Sequence, residues 1–368
     1  MSAVVLSCIW GLVEVLLAHY PLFWIGLGAS ALPNDIFLAG LARWIGSGGL
    51  ASVQLLIGFC FWQTVFAIRR GLDSRKVISF GFLFVFLMHM VGASLLGTSD
   101  ASDPINVALW QSDIPIRKKF SKDQQIRIPH AIEASFHRAK DLSASWLVAP
   151  EGTLNTNQEL LEPAPMPFLS GGFRWVRGSQ RSSLLFFDRG EKNFSGAIDK
   201  HRLVPLGEKV PTFSPLLMNG LSAVGGLKPG ESSRFFSWPG PSVAVAICYE
   251  LSDGHALAKA AKDGAEWILA LANLDPYPIA LQRQFVVLAQ MRSIETSRDL
   301  IAVANTGPSA LVKASGNVEV MIPPFIEATE VVKLQLQKGL TGYTRWQEIP
   351  LICFFLMGLF GVISLRFG

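Results

Sequence analysis

Apolar residues are segregated along this 368-residue chain rather than dispersed. They concentrate in residues 1–98 and 349–365, while 99–348 has the composition of an ordinary water-soluble domain. Residues 50–68 carry no charge and are long enough to cross a bilayer. Hydrocarbon offers the backbone no hydrogen-bond partners, so such a segment must be helical. The pattern predicts an N-terminal membrane region over 1–98 with about three transmembrane helices. A water-facing domain over 99–348 and a C-terminal transmembrane helix over 349–368 complete it.

Residues 3–31 are apolar but include Glu14 and His19. No basic segment precedes them, so a cleaved signal peptide fits poorly and a membrane helix, with or without a re-entrant piece, fits better. Glu14 is expected to face protein or a wet cavity, either in a structural hydrogen bond or in a direct role. Residues 32–48 read as a Gly/Pro-punctuated loop or a short interfacial helix, with Trp44 at headgroup level. Residues 77–98 form the next span, interrupted only by His89. Arg69, Arg70, Arg75 and Lys76, set against Asp73 alone, place the connector in the cytoplasm. The domain then lies on the far side of the membrane, and Ile349–Leu365 returns to leave Arg366 inside.

The net charge of +4 is too small and too scattered to imply nucleic acid as a partner. Of four cysteines, Cys8, Cys60 and Cys353 lie in apolar segments. Cys248 is alone in the domain, without a disulfide partner, a CxxC pair or a His cluster, so neither zinc nor another cofactor is expected.

Within the domain, 106–110, 145–149, 183–188, 243–247, 267–272 and 300–304 read as strands. Helices are expected over 128–142, 254–263 and 281–298. Strands interleaved with helices over such a length argue an α/β domain of layered sheets and helices. Pro163, Pro165 and Pro167 mark a loop. Residues 212–230 read as a longer, partly apolar loop that either covers the active site and dips toward the bilayer or packs on the domain's own core.

The stretch 243–253, VAVAICYELSD, carries the chemical interest. Val243, Val245 and Ile247 alternate with Ala244 and Ala246, as in a strand buried on both faces. Cys248 stands at its exit, and Ser252 or Asp253 can cap a following helix. A free cysteine is most often a small buried hydrophobe. A thiol beside a base and a fixed cation is instead a nucleophile. Two other stretches offer those partners. In Trp146–Gly152 a buried strand ends in Pro150 and Glu151, which can take a proton. In Asp199–Pro211, Lys200 and Glu208 flank a short apolar run. Lys200 can face a thiolate or an oxyanion, with the Tyr249 N–H as a second donor, and Glu208 can orient Lys200 or Glu151. Taken singly, Glu151 reads as a turn cap, Lys200 as a solvated charge and Glu208 as half of a surface ion pair.

The order Glu, Lys, Glu, Cys resembles the nitrilase (carbon–nitrogen hydrolase) superfamily, and within it the apolipoprotein N-acyltransferase branch of the bacterial envelope. The matching stretches are NVALWQSDIP (106–115), APEG (149–152), DKHRLVPLGEKVP (199–211), LKPG (227–230), AICYE (246–250), DGAEWIL (263–269), MRSIETSRDLIAVANTGPSA (291–310) and TGYTRW (341–346). The resemblance implies a nitrilase-like αββα sandwich flanked by transmembrane α-helices. It implies Glu151 as general base, Lys200 as oxyanion-stabilising lysine, Cys248 as nucleophile and Glu208 as supporting glutamate. Tyr249 and Glu250 match the two residues after the nucleophile. The implied reaction is ping-pong: Cys248 takes an acyl group from a phospholipid or other acyl donor and passes it to the N-terminal amine of a lipoprotein acceptor. The implied location is the bacterial inner membrane, multi-pass, with the catalytic domain in the periplasm. Ile198 and Leu206 depart from the branch's Tyr and Phe, residues 272–278 depart from its Ser-Asn-Asp-Ala-Trp-Phe-Gly stretch, and the membrane part is shorter. A shortened nitrilase-like membrane protein is also similar to the TraB proteins of conjugal transfer, whose partner would be conjugation machinery. An amidase that gives the acyl group to water is a further alternative.

Overall fold

The computed structural model describes residues 2–20, 22–97, 102–119, 121–205, 207–208 and 226–367. The expectation for loop 212–230 therefore falls, up to residue 225, outside the described residues. The chain runs through α1 (Ser2–Ala18), α2 (Ile36–Ala39), α3 (Ala42–Arg69), α4 (Arg75–Leu95), β1 (Ile105–Gln111), α5 (Ile116–Lys119) and α6 (Lys122–Asp141). It continues with β2 (Trp146–Leu154), β3 (Phe168–Val176), β4 (Ser179–Phe187), β5 (Gly196–Asp199), β6 (Phe235–Phe236), β7 (Val243–Ile247) and α7 (Gly254–Lys262). Then follow β8 (Trp267–Ala272), α8 (Ile279–Thr296), β9 (Leu300–Ala304), β10 (Ser309–Val312), β11 (Val318–Ile322), β12 (Ala328–Leu334), α9 (Gly342–Trp346) and α10 (Ile349–Phe367).

Two six-stranded sheets form, in the orders β12-β1-β2-β3-β4-β5 and β11-β10-β9-β8-β7-β6. Alternation along β7 explains how they stack, because successive side chains leave a strand on opposite faces. Val243, Val245 and Ile247 join Leu109, Val148 and Leu269 in the core between the sheets. Ala244 and Ala246 face the other way, into a second core with Leu257 of α7 and Phe285 of α8. Their small size admits the helices closely. On the outer face of the first sheet, Trp110 packs with Ile132 and Phe136 of α6. The result is a four-layer α/β sandwich, helix–sheet–sheet–helix.

The site is positioned where parallel strands end. β7 and β8 pair in parallel with Ile247 opposite Leu271, so Cys248 and Asn273 leave the sheet at one edge. The sequence suggested a strand ending near Ala149. Instead β2 continues to Leu154, and its pairing with β3 slips between Ala149 and Leu154. That bulge re-aims Glu151. It uses Gly152 at φ 67°, and it packs so tightly on Gly171 that a Cβ there would stand 2.5 Å from the Glu151 Cα.

Two helices, α3 and α4, are long and apolar enough to cross a membrane, and α1 and α10 are shorter apolar helices. α1 packs on α3 and α10, and α3 on α4. The stretch expected as a loop or short helix over 32–48 instead divides into α2 and the first turns of α3, which bends at Gly46 (φ 64°). Glu14 takes the structural option: buried, it accepts from the N–H groups of Leu27 (2.8 Å) and Gly28 (3.4 Å) and from the Trp10 indole (2.8 Å). It thereby fixes the turn that follows α1.

Candidate active site

Cys248 opens a 3-10 turn directly after β7. Its φ is 54°, in the left-handed region that L-residues enter only at a cost. The side chain is buried. The Tyr249 N–H, anticipated as an oxyanion donor, is directed at the Cys248 thiol.

Lys200 follows β5 and is fully buried. Its Nζ donates to Glu151 Oε1 at 2.8 Å and to Glu208 Oε1 at 2.7 Å. The second oxygen of each carboxylate is also used: Glu151 Oε2 accepts from the Asn273 N–H at 3.0 Å, and Glu208 Oε2 from the Val204 N–H at 2.9 Å. Neither carboxylate can rotate without losing a partner. All four residues expected from the sequence thus meet in one buried cluster.

The electrostatics follow from burial and neighbours. Burial raises the Glu151 carboxyl above its ordinary value, and the Lys200 charge opposes the shift. Burial by itself lowers Lys200, but the charges of Glu151 and Glu208 outweigh it and hold the ammonium well above the usual lysine range. Burial, then the Glu151 charge, pushes the Cys248 thiol up, with Lys200 opposing. At rest the cluster is a neutral thiol beside a fixed cation and a carboxylate whose basicity is enhanced, so proton removal and attack can be coupled. Burial also raises the half-buried Tyr277 phenol, which feels the charges of Cys248 and Lys200. The 272–278 stretch therefore borders the site at two points, Asn273 and Tyr277.

Sequence reasoning matched Glu250 to a motif without giving it work. It is buried, and its carboxylate accepts from the backbone N–H groups of Ile247 (2.8 Å), His201 (2.7 Å) and Arg202 (3.1 Å). It also takes the Arg234 guanidinium at 2.8 and 2.9 Å. Arg234 reaches on to the Asp199 carbonyl at 3.0 Å. One carboxylate thus fixes the residue before the nucleophile and the two residues after the lysine. Arg234 was missed because a lone arginine between serines and Phe235 carries no pattern. Lys119 was missed because it stands in a basic run; it is buried beside Glu151. Among the described residues no His/Cys/Asp/Glu group with metal-binding geometry occurs.

A buried cysteine at a strand exit, beside a buried lysine clamped between two glutamates, on a four-layer α/β sandwich, is the arrangement of a carbon–nitrogen hydrolase. The profile of the family described as Carbon-nitrogen hydrolase matches residues 169–340. Apolipoprotein N-acyltransferase of Prochlorococcus marinus (strain MIT 9313) is 59% identical over 360 residues, covering 98% of this chain and 72% of that protein. The protein of the same name from a second strain of P. marinus is 52% identical, covering 100% and 74%. That from Parasynechococcus marenigrum (strain WH8102) is 50% identical, covering 94% and 73%. Among solved structures, Saccharomyces cerevisiae Nit3, of the nitrilase superfamily, is similar at 15% identity and a TM-score of 0.48, covering 65% of this chain and 92% of that one. This chain belongs to the apolipoprotein N-acyltransferase family, and it is an enzyme of the N-acyltransferase class.

Proposed function

We propose that the protein moves an acyl group from a phospholipid onto the α-amine of a lipoprotein through a thioester on Cys248. The observation that carries this reading is the burial of Lys200 between Glu151 and Glu208 at the strand exit that holds the thiol. In the first half-reaction Glu151 removes the Cys248 proton as sulfur attacks the ester carbonyl. Lys200 and the Tyr249 N–H face the developing oxyanion. The tetrahedral centre collapses, the C–O bond breaks, and Glu151 returns the proton to the departing lysophospholipid oxygen. In the second half-reaction the amine attacks the thioester, the C–S bond breaks and the thiol is restored. Glu208 keeps Lys200 in place and charged.

The surroundings support a bilayer substrate. Large apolar side chains on the helices face outward, among them Phe61, Trp62, Phe80, Phe82, Phe86, Phe354 and Phe360. The domain-side ends of the helices are tied to the sandwich: Ala18 O accepts from Arg202, the Ser47 N–H donates to Glu295 at 2.8 Å, and Arg43 donates to Leu95 O and Ala314 O. The Arg69–Lys76 connector lies at the opposite end of α3 and α4. With that connector cytoplasmic, the catalytic domain faces the periplasm from a multi-pass anchor in the inner membrane. The division of the chain at 98/99 and 348/349 follows the same reading. The relatives that match along nearly the whole chain bear the acyltransferase name, so the conjugal-transfer and amidase alternatives are not carried further.

The test is intact-protein mass spectrometry after incubation with a labelled phospholipid. Wild type is expected to gain one acyl mass and lose it on adding a peptide with a free α-amine, and Cys248→Ala to gain none. An adduct that persists in Cys248→Ala sinks the assignment.

A further inference from the structure

The hairpin formed by β3 and β4 is braced at its base, yet its tip is exposed. β2 ends opposite Gly172, so residues 173–176 project roughly 13 Å past it, beyond the edge that carries Glu151. Val176 pairs with Ser179 across a two-residue turn, and the Ser179 hydroxyl donates to the Val176 carbonyl at 3.0 Å. Arg174 and Arg181 stand directly opposite each other. Asp199 relieves their repulsion by accepting from Arg174 at 2.6 Å and from Arg181 at 3.2 Å. Asp199 directly precedes Lys200, so the base of the hairpin is fastened to the lysine segment.

Two residues at the tip have no work inside the fold. Trp175 is 56% exposed, although Gln180 opposite it is held by Thr156 at 2.7 Å. Arg177 opens the turn at φ 49°, with Gly178 at φ 77°. Asn, Asp or Gly suits that first position, whereas an arginine enters the left-handed region only with strain. Arg177 has no ion-pair partner among the described residues. The surroundings say what the tip meets. Side chains alternate along a strand, so Trp175 leaves on the same face as Phe173, which packs with Leu203 and Leu227. Leu203 follows Arg202, whose guanidinium donates to the Ala18 and Tyr20 carbonyls at the domain-side end of α1. Tyr20 and Leu22 there are 65% and 84% exposed. The tip thus continues the apolar border at which α1 leaves the sandwich. Its charge is positive: Arg177 and Lys228 are exposed, and the Lys228 N–H donates to the Gln180 carbonyl at 3.0 Å. Among the described residues between β1 and α10 the other exposed tryptophan is Trp346, where the chain enters that apolar helix. An indole beside an unpaired arginine is the composition of a segment seated among lipid headgroups.

We propose that the β3–β4 hairpin is a second contact of the catalytic domain with the bilayer: Trp175 enters the headgroup layer and Arg177 pairs with lipid phosphate. The surface it fits is a leaflet carrying anionic phospholipid. Seated there, the hairpin holds the Lys200 segment, through Asp199, at the height from which the acyl donor enters. The effect on rate rests on the acyltransferase reading; the contact itself does not.

The test uses the full chain reconstituted in vesicles of phosphatidylethanolamine and phosphatidylglycerol. Trp175→p-benzoylphenylalanine is photolysed and its adducts are read by mass spectrometry. Asp141→p-benzoylphenylalanine, at an exposed position on the opposite edge of the sheet, is the control. A phospholipid adduct at 175 and none at 141 is expected. No lipid adduct at 175 overturns the proposal, and so does an adduct there only to an added lipoprotein peptide. Thioester formation on Cys248 is then followed with two donors, the vesicle phospholipid and a short water-soluble p-nitrophenyl ester. Arg177→Asn removes the cation but suits the turn, and Trp175→Thr keeps a strand former. Arg177→Asn is expected to slow acylation from phospholipid about fivefold, the effect of one arginine at an anionic surface, and Trp175→Thr at least as much. Acylation by the soluble ester should stay within about twofold of wild type. Added salt should bring wild type down toward Arg177→Asn and leave that variant unchanged. Equal slowing with both donors, or wild-type acylation from phospholipid by both variants, overturns the proposal. A lipid adduct at 175 without any thioester on wild-type protein would instead refute the acyltransferase reading and leave the bilayer contact standing.

Discussion

Replacing Glu250 with Gln isolates what the carboxylate behind the nucleophile does. Four donors converge on it: the N–H groups of Ile247, His201 and Arg202, and the Arg234 guanidinium. An amide keeps one accepting oxygen and turns the other position into a donor. With the NH2 group placed at the Oε2 position, it meets the Ile247 N–H; placed at Oε1, it meets both N–H groups of the lysine loop. Either way at least one buried N–H is left unpaired, at about 1–3 kcal/mol. Arg234 loses its counter-charge in the interior, at about 3–5 kcal/mol. These terms share one network and do not add, so about 3–5 kcal/mol is expected. That corresponds to a fall in Tm of roughly 5 °C for a chain of this size. The kinetic effect follows from geometry, because Glu250 sets the distance between the strand carrying Cys248 and the loop carrying Lys200. A displacement of about 1 Å costs on the order of 100-fold in rate. Thermal unfolding in detergent and the rate of thioester formation by mass spectrometry give the two readouts. A Tm within about 2 °C of wild type together with acylation within about threefold would refute the reasoning. A second variant separates ion pair from backbone: Arg234→Met with Glu250→Met removes both charges but leaves three N–H groups without an acceptor, so acylation should stay low. Full recovery in that double variant would show that the backbone contacts carry little.

Further outcomes follow from the same geometry. Thioester formation should rise with pH as Glu151 loses its proton, with the limb above the ordinary carboxyl value of 4.5 because burial raises this group; Glu151→Gln should remove that limb, read from burst rates across pH. Arg202→Met should expose the turn after α1 to limited proteolysis and lower Tm by a few degrees, since Arg202 donates to the Ala18 and Tyr20 carbonyls at a helix end where a cation is favoured; unchanged cleavage would count against that role. A reporter fused in the 70–74 connector should be active only in the cytoplasm, and one fused near Asp103 only outside it; the reverse pattern would overturn the membrane orientation.

Much of this was legible in the sequence because the signals were local. The Val/Ala alternation over 243–247 states both the strand and its two buried faces, and Cys248 at its exit follows from the break in the pattern. Glu151 and Glu208 each stand beside a Pro or Gly, and Lys200 opens the short apolar run that Pro and Gly close, which marked them. The strands that escaped, β3, β5, β6, β10, β11 and β12, are mostly edge or antiparallel strands, whose pairing is set by distant partners rather than by their own periodicity. The start of α6 was placed late, at Ile128, because Pro129 lies inside the helix and Pro usually marks a helix start. The bulge at Glu151 could not be read at all, since it depends on Gly171 giving way on the neighbouring strand.

The least legible feature is the one that joins membrane and chemistry. Tyr249, next to the nucleophile, stacks on Trp24 with centroids 5.6 Å apart, carries Arg202 over its ring at 5.0 Å and donates its hydroxyl to the Phe23 carbonyl at 2.7 Å. Arg202, two residues after Lys200, donates to the carbonyls that end α1. The thiol segment and the lysine segment are therefore each fastened to residues at or just beyond the domain-side end of α1, Ala18, Tyr20, Phe23 and Trp24. A thiol held this way has a fixed height above the helices, as the proposed transfer of an acyl group from a bilayer requires. The partners are 182 and 226 residues apart in the chain. Each residue alone reads as an ordinary aromatic or surface arginine, and only the fold makes them a single support.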